Sequence, residues 1–169
     1  MSHRLHEILE REQQLRDTGA CAPDGRPLAR LVFFDPDSWL LPDGYDALLA
    51  AHARYLQSRP GLTAVVSGHS YGSGSHRFFW LMGDRRALAV QHKLVLAGVR
   101  PQQLKVQSKG AARSPIAVVG KEFGCYRRRV AIDYLDNSAV ATPATPGSTE
   151  WWRGVFGSTR FGGAASASW

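Results

Sequence analysis

The sequence predicts an α/β sandwich with helices packed on a sheet, and three observations carry the prediction. Short apolar runs rich in β-branched and aromatic residues alternate with longer segments whose apolar residues recur every three or four positions. Glycine and proline clusters mark the switches between them. With 44% apolar and 21% charged residues among 169, the chain is long enough to bury one substantial core.

The elements follow in order. Ser2 to Asp17 is mostly polar, with Leu5, Ile8, Leu9 and Leu15 at loosely helical spacing. A turn cluster, Asp24-Gly25-Arg26-Pro27, precedes Leu31-Val32-Phe33-Phe34, which reads as a buried strand. From Pro42, the positions Tyr45, Leu48, Leu49, His52 and Leu56 predict an amphipathic helix of about four turns that Pro60-Gly61 stops. Leu62, Ala64 and Val66 alternate as a second strand, which ends in the glycine-punctuated loop from Gly68 to Ser75. Gly83, Ala87, Val90, Leu94 and Ala97 mark one face of a second helix closed by Gly98. Leu104, Val106 and Ser108 predict a third strand, and Val130, Ile132 and Tyr134 a fourth. The expected organisation is an N-terminal helical extension and linker over 1–29, a domain over 30–136, and a tail over 137–169 rich in Gly, Ala, Ser and Thr.

That tail carries Trp151, Trp152, Phe156, Phe161 and Trp169, which a plain linker does not need. Either these aromatics pack back on the domain or they form a partner-binding peptide.

Charge narrows the partners. Twenty-one lysines and arginines against fourteen acids give +7. Residues 77–129 hold twelve of those cations and two acids, Asp84 and Glu122, so the rest of the chain sums to −3 and an anionic partner is expected on the basic half. No apolar run exceeds about five residues, against the ~18 to 20 of a membrane span, and no basic-then-apolar secretion signal is visible. Cys21 follows Thr18-Gly19-Ala20, but no apolar segment and no leucine stand where lipoprotein processing requires them. Cys21 and Cys125 are too far apart for a CxxC motif, leaving two buried thiols, the favoured reading, or one long-range disulfide.

Catalytic readings fail on composition and order. Gly68-His69-Ser70-Tyr71-Gly72 fits the G-x-S-x-G elbow, but no histidine follows the candidate acids Asp133 and Asp136 to complete a triad. His69 and His76 lie seven apart with no cysteine or close acid to complete a metal set. Asp35-Pro36-Asp37-Ser38 reads as a turn with side-chain to backbone hydrogen bonds rather than an acid/base pair. Arg77-Phe78-Phe79-Trp80 and Tyr126-Arg127-Arg128-Arg129 suit a single-stranded nucleic acid chemically, yet no nucleic-acid module motif is present. No enzyme, metal, cofactor or nucleic-acid partner is expected.

The order of pieces is more specific than any one of them. Val32-Phe33-Phe34-Asp35 with Ser38, Arg59-Pro60-Gly61-Leu62, Gly68-His69-Ser70, the helix segment Gly83-Asp84-Arg85-Arg86-Ala87-Leu88-Ala89-Val90, Leu96-Ala97-Gly98-Val99 and Arg128-Arg129-Val130 follow one another over about residues 30–134. This resembles the OmpA-like C-terminal domain shared by OmpA, the peptidoglycan-associated lipoprotein Pal and the flagellar stator protein MotB. The resemblance implies a β-α-β-α-β fold with helices on one face of a mixed sheet. It also implies a pocket for the diaminopimelate of the peptidoglycan stem peptide, built from a "GHTD" loop and an "NxxLSxxRAxxV" helix. Carried over, the pocket falls on Gly68, His69, Ser70, Tyr71, Phe79, Arg86 and Arg128, with Arg86 as the carboxylate-binding arginine.

Three positions depart from the family pattern. Tyr71 stands where the family has the aspartate that meets the ligand amine, Phe79 where it has asparagine, and Arg127 where it has an amide before the last strand. These changes weaken recognition of a zwitterion and favour an anionic ligand. The expected function is a non-enzymatic cell-envelope attachment module that associates with peptidoglycan through an altered pocket, on the periplasmic side. The alternative is a structural subunit of a secretion, conjugation or phage-tail type assembly, or of a virion or injection machine, that keeps the fold for protein contacts and has lost peptidoglycan binding.

Overall fold

In the computed structural model, residues 2–71, 74–111 and 124–136 are described, without the side chains of residues 2–5, 125 and 136. Helix α1 spans Ser2–Thr18, followed by β1 (Leu31–Phe33), α2 (Asp46–Gln57), β2 (Leu62–His69), α3 (His76–Leu96), a 3-10 turn at Pro101–Gln103, β3 (Leu104–Gly110), α4 (Gly124–Arg127) and β4 (Arg129–Asp136). The expected mixed sheet is present, in the order β1-β4-β2-β3. β4 runs antiparallel to both β1 and β2, whereas β2 and β3 are parallel and joined by α3.

Alternation along β2 builds the core. Leu62, Ala64 and Val66 point to the helix side, where they meet Leu49 and Leu56 of α2, Ala87, Val90 and Leu94 of α3, and Val130 and Ile132 of β4. Helix α1 adds Leu15 to this core, while its Ile8 and Leu9 join Leu31, Phe33 and Tyr126 in a second cluster. Its Glu12 carboxylate accepts from the backbone N–H groups of Arg30 and Leu31, at 3.1 and 3.3 Å, and so blunts the sheet edge.

Several boundaries differ from expectation. Helix α2 begins at Asp46 and makes about three turns rather than four. Gly44 adopts φ 83° and makes a turn, leaving Tyr45 at the N-cap, where its hydroxyl accepts from Phe33 N–H at 3.0 Å. Strand β2 continues through Gly68 and His69, residues expected in the loop, with a register shift between them. Ala97, placed on the helix face by its spacing, is instead the exposed C-cap of α3. As expected, Gly98 (φ 92°) closes that helix, with Gly98 N–H bonded to the Val95 carbonyl and Val99 N–H to that of Leu94. Cys21 is a free and exposed thiol rather than a buried one, because it sits in the hairpin-like turn before β1; the side chain of Cys125 lies outside the described residues.

Glycines bring α3 onto β2. A Cβ on Gly68 would lie 1.8 Å from the Gly83 carbonyl oxygen, and one on Gly83 would lie 2.6 Å from Ser108 Oγ and 2.8 Å from the Gly68 carbonyl oxygen. Neither position has room for a methyl group. Gly83→Ala is therefore expected to destabilise the domain by about 2 kcal/mol, the overpacking cost exceeding the ~1 kcal/mol gained in helix propensity. A rise in the urea midpoint of this variant would contradict the close approach.

His52 supplies a pH dependence. It is fully buried on α2, its Nε2–H donating to the Ala29 carbonyl at 3.1 Å while Nδ1 accepts from the Tyr134 hydroxyl. Burial, opposed by the Ala29 bond, pulls its pKa down to about 4 from 6.5. The unfolded chain then binds a proton that the folded chain refuses. Stability is fully present above pH 6.5, falls as the pH drops toward 4, and loses at most about 3 kcal/mol from this group. Urea midpoints across that window are expected to slope downward in the wild type and to flatten in His52→Gln. Equal slopes would assign the effect elsewhere.

Candidate functional site

The Gly68–Gly83 approach determines what the next turn of α3 can reach. Arg86, three residues on from Gly83, lies on the apolar face of α3 among Phe79, Met82, Ala87 and Val90, and is only 1% exposed. Its Nε donates to the Ser38 carbonyl at 2.8 Å, one terminal nitrogen to the His69 carbonyl at 3.3 Å, and the other to the Asp35 carbonyl at 3.3 Å. One guanidinium thus ties the loop after β1 to the end of β2. The fork geometry suits this, since arginine offers five N–H donors in one plane and three are used here.

The tied loop is the expected turn. Ser38 N–H bonds to the Asp35 carbonyl at 3.3 Å, Ser38 Oγ accepts from Leu40 N–H at 3.1 Å, and Asp37 takes the left-handed φ of 51° that aspartate tolerates better than most residues. Its backbone carbonyls, more than its acids, engage the arginine.

A second arginine stands close by. Arg128 Nε donates to the Phe34 carbonyl at 3.2 Å, Phe34 N–H bonds back to the Arg128 carbonyl at 2.8 Å, and the Phe34 ring centre lies 5.5 Å from the Arg86 guanidinium carbon. Burial, and after it the Arg128 charge, lower the Arg86 pKa to about 10, with Asp37 acting in the opposite sense. Arg86 therefore remains a cation at neutral pH. His69 is neutral there, since burial, Arg129 and Lys109 push its pKa down to about 3.

Beyond His69 the chain turns outward. Ser70 is buried and its N–H bonds to the Gly110 carbonyl at 3.0 Å, whereas Tyr71 is 51% exposed. The Tyr71 ring stacks near-parallel with Phe79, at 6.2 Å between centres and 16°, and Phe78 meets Phe79 edge-on. The Arg127 guanidinium lies 4.3 Å from the centre of the Tyr71 ring.

The residues singled out from sequence on the domain, Gly68, His69, Ser70, Tyr71, Phe79, Arg86 and Arg128, thus gather at one end of the sheet, in two linked groups. Arg86 joins His69 and the Phe34–Arg128 pair, and Phe79, two turns earlier on the same face of α3, carries Tyr71. Sequence reasoning left out Phe34, the Ser38 carbonyl and the Arg127–Tyr71 contact; the position of Arg127 directly before Arg128 was the available signal. Trp151, Trp152, Phe156, Phe161 and Trp169 lie outside the described residues. Among the described residues no helix is long and apolar enough to cross a membrane.

The chain is 36% identical over 87 residues to the peptidoglycan-associated lipoprotein of Legionella pneumophila, covering 52% of this chain and 49% of that protein. It is 32% identical over 105 residues to the peptidoglycan-associated lipoprotein of Pasteurella multocida, covering 61% of this chain and 69% of that protein. It therefore spans about half the length of the Legionella relative. The crystal structure of the peptidoglycan-associated lipoprotein from Burkholderia pseudomallei superposes with a TM-score of 0.62 at 32% identity, over 67% of this chain and 97% of that one. The OmpA family matches over residues 33–120, from the end of β1 through β3, and includes Tyr71 and Arg86. That segment is more than half of the chain, which belongs to the OmpA family.

Proposed function

We propose that this domain is a non-enzymatic cell-envelope attachment module that associates with peptidoglycan, with Arg86 as the residue that receives a carboxylate of the stem peptide. The observation that carries this reading is the position of Arg86: a charged guanidinium, flanked by Arg128, at the junction of two loops in a chain similar to peptidoglycan-associated lipoproteins. Two of its five N–H groups are outside the three carbonyl bonds. A carboxylate is a stronger acceptor than the carbonyls at 3.3 Å, so a ligand competes for the terminal nitrogens on favourable terms. The periplasmic side of the envelope is where such a ligand is found.

A second reading rests on the same arginine. At 1% exposure, with three carbonyl partners, Arg86 is also what a purely structural strut looks like. The domain would then be a structural subunit of a secretion, conjugation or phage-tail type assembly, or of a virion, using its basic surface and aromatic tail for protein contacts.

Sedimentation with purified peptidoglycan separates the two. The first reading expects the chain to pellet at about 0.5 M salt, where nonspecific attraction of a basic protein is screened, and to be released by free diaminopimelate. Arg86→Lys, which keeps the charge but loses the fork, is expected to bind about tenfold more weakly, whereas Arg54→Ala, on the exposed face of α2, should leave binding unchanged. Arg86→Ala should in addition lower stability by about 3 kcal/mol by orphaning three carbonyls. Pelleting only at low salt, insensitive to diaminopimelate and to Arg86→Lys, would support the scaffold reading.

A further inference from the structure

Resting on the peptidoglycan reading above, we infer that Tyr71 is a specificity-determining residue, and that the site takes stem peptides whose diamino-acid carboxylate is free while the neighbouring amine is acylated, as it is in a cross-link, in preference to ends with a free ammonium. Two observations lead there.

The first is what surrounds Tyr71. A free ammonium needs an anion or an open aromatic face. Tyr71 supplies no carboxylate; its ring stacks with Phe79 and already holds the Arg127 guanidinium at 4.3 Å. An incoming ammonium would have to displace that cation. An acylated amine is neutral, needs no counter-charge, is not repelled by the Arg127 cation, and offers an N–H to the phenol oxygen. Asp37, the acid that Arg86 feels, lies on the other loop and is flanked by the carbonyls that hold Arg86.

The second is proximity. Arg86 donates to the His69 carbonyl at 3.3 Å, two residues before Tyr71, so a carboxylate held at Arg86 leaves the substituent on its own carbon on the Tyr71 side of the junction. The exposed sides of Tyr71 and Phe78, 51% and 44% accessible, form an aromatic shelf there.

The test uses the full chain and three soluble muropeptides that differ at one diaminopimelate centre: carboxylate with free amine, carboxylate with N-acetylated amine, and carboxamide with N-acetylated amine. Titration is expected to show the N-acetylated carboxylate form binding about fivefold or more tightly than the free-amine form, with the carboxamide form weakest. Tyr71→Asp, at an exposed position that a thermal transition shows to be still folded, should reverse the first two, while Tyr71→Phe keeps their order. Equal or tighter binding of the free-amine form by wild type, or an unchanged order in Tyr71→Asp, overturns this inference alone. No binding of any form to wild type or Tyr71→Asp overturns the peptidoglycan reading and this inference with it.

Discussion

A guanidinium almost sealed from solvent holds together the end of the sheet at which the candidate site lies. Arg86 is a cation on the apolar face of a helix, a placement that costs several kcal/mol unless its donors are satisfied. The Asp35, Ser38 and His69 carbonyls satisfy them. The arrangement depends on backbone approach more than on side chains: without methyl groups at Gly68 and Gly83, α3 sits close enough to β2 for the arginine one turn later to reach the strand end. The loop after β1 is then held by whichever donors the arginine turns toward it. A ligand that takes over one of those donors necessarily acts on that loop.

The region is rich in cations, with Asp37 acting on Arg86 and Asp133 on Arg129 as counter-charges. Arg86, Arg127, Arg128 and Arg129 converge on the aromatic residues Phe34, Tyr71 and Tyr126, whose rings lie 4.2 to 5.5 Å from the guanidiniums of Arg86, Arg127 and Arg129. Arg129 is buried and donates to the Tyr126 carbonyl at 2.6 Å, so it serves packing. Arg127 and Arg128 are only partly buried. This division separates cations that build the platform from cations at its rim, and it suits a ligand that brings negative charge.

How much of this the sequence discloses varies with the kind of signal. The faces of α2, β2 and α3 are legible because Leu48, Leu49, Ala64, Val66, Ala87, Val90 and Leu94 repeat at the helical and strand periods, and Gly98 marks a helix end by its chemistry. The start of α2 is not, since Pro42 suits both a first helical turn and the turn that Gly44 makes here. The strand character of Gly68 and His69 is hidden because a glycine before a polar residue looks like a loop, and only the contact with Gly83 explains it. Arg86 is identified through the family resemblance, and the structure then places it on the apolar face of α3. Its carbonyl partners and the Arg127–Tyr71 contact join residues far apart in the chain, which no local pattern encodes.

The central claim is that the Arg86 junction is a binding site and more than a brace. Its most direct test is the side-chain Nε–H resonance of Arg86 in a nitrogen-labelled sample, followed as a diaminopimelate-containing muropeptide is added. The account predicts a saturable shift of that resonance together with the amides of Asp35, Ser38, His69 and Tyr71, at the two loops the arginine joins. A resonance that stays fixed while the peptide binds elsewhere, or with no binding at all, would contradict it.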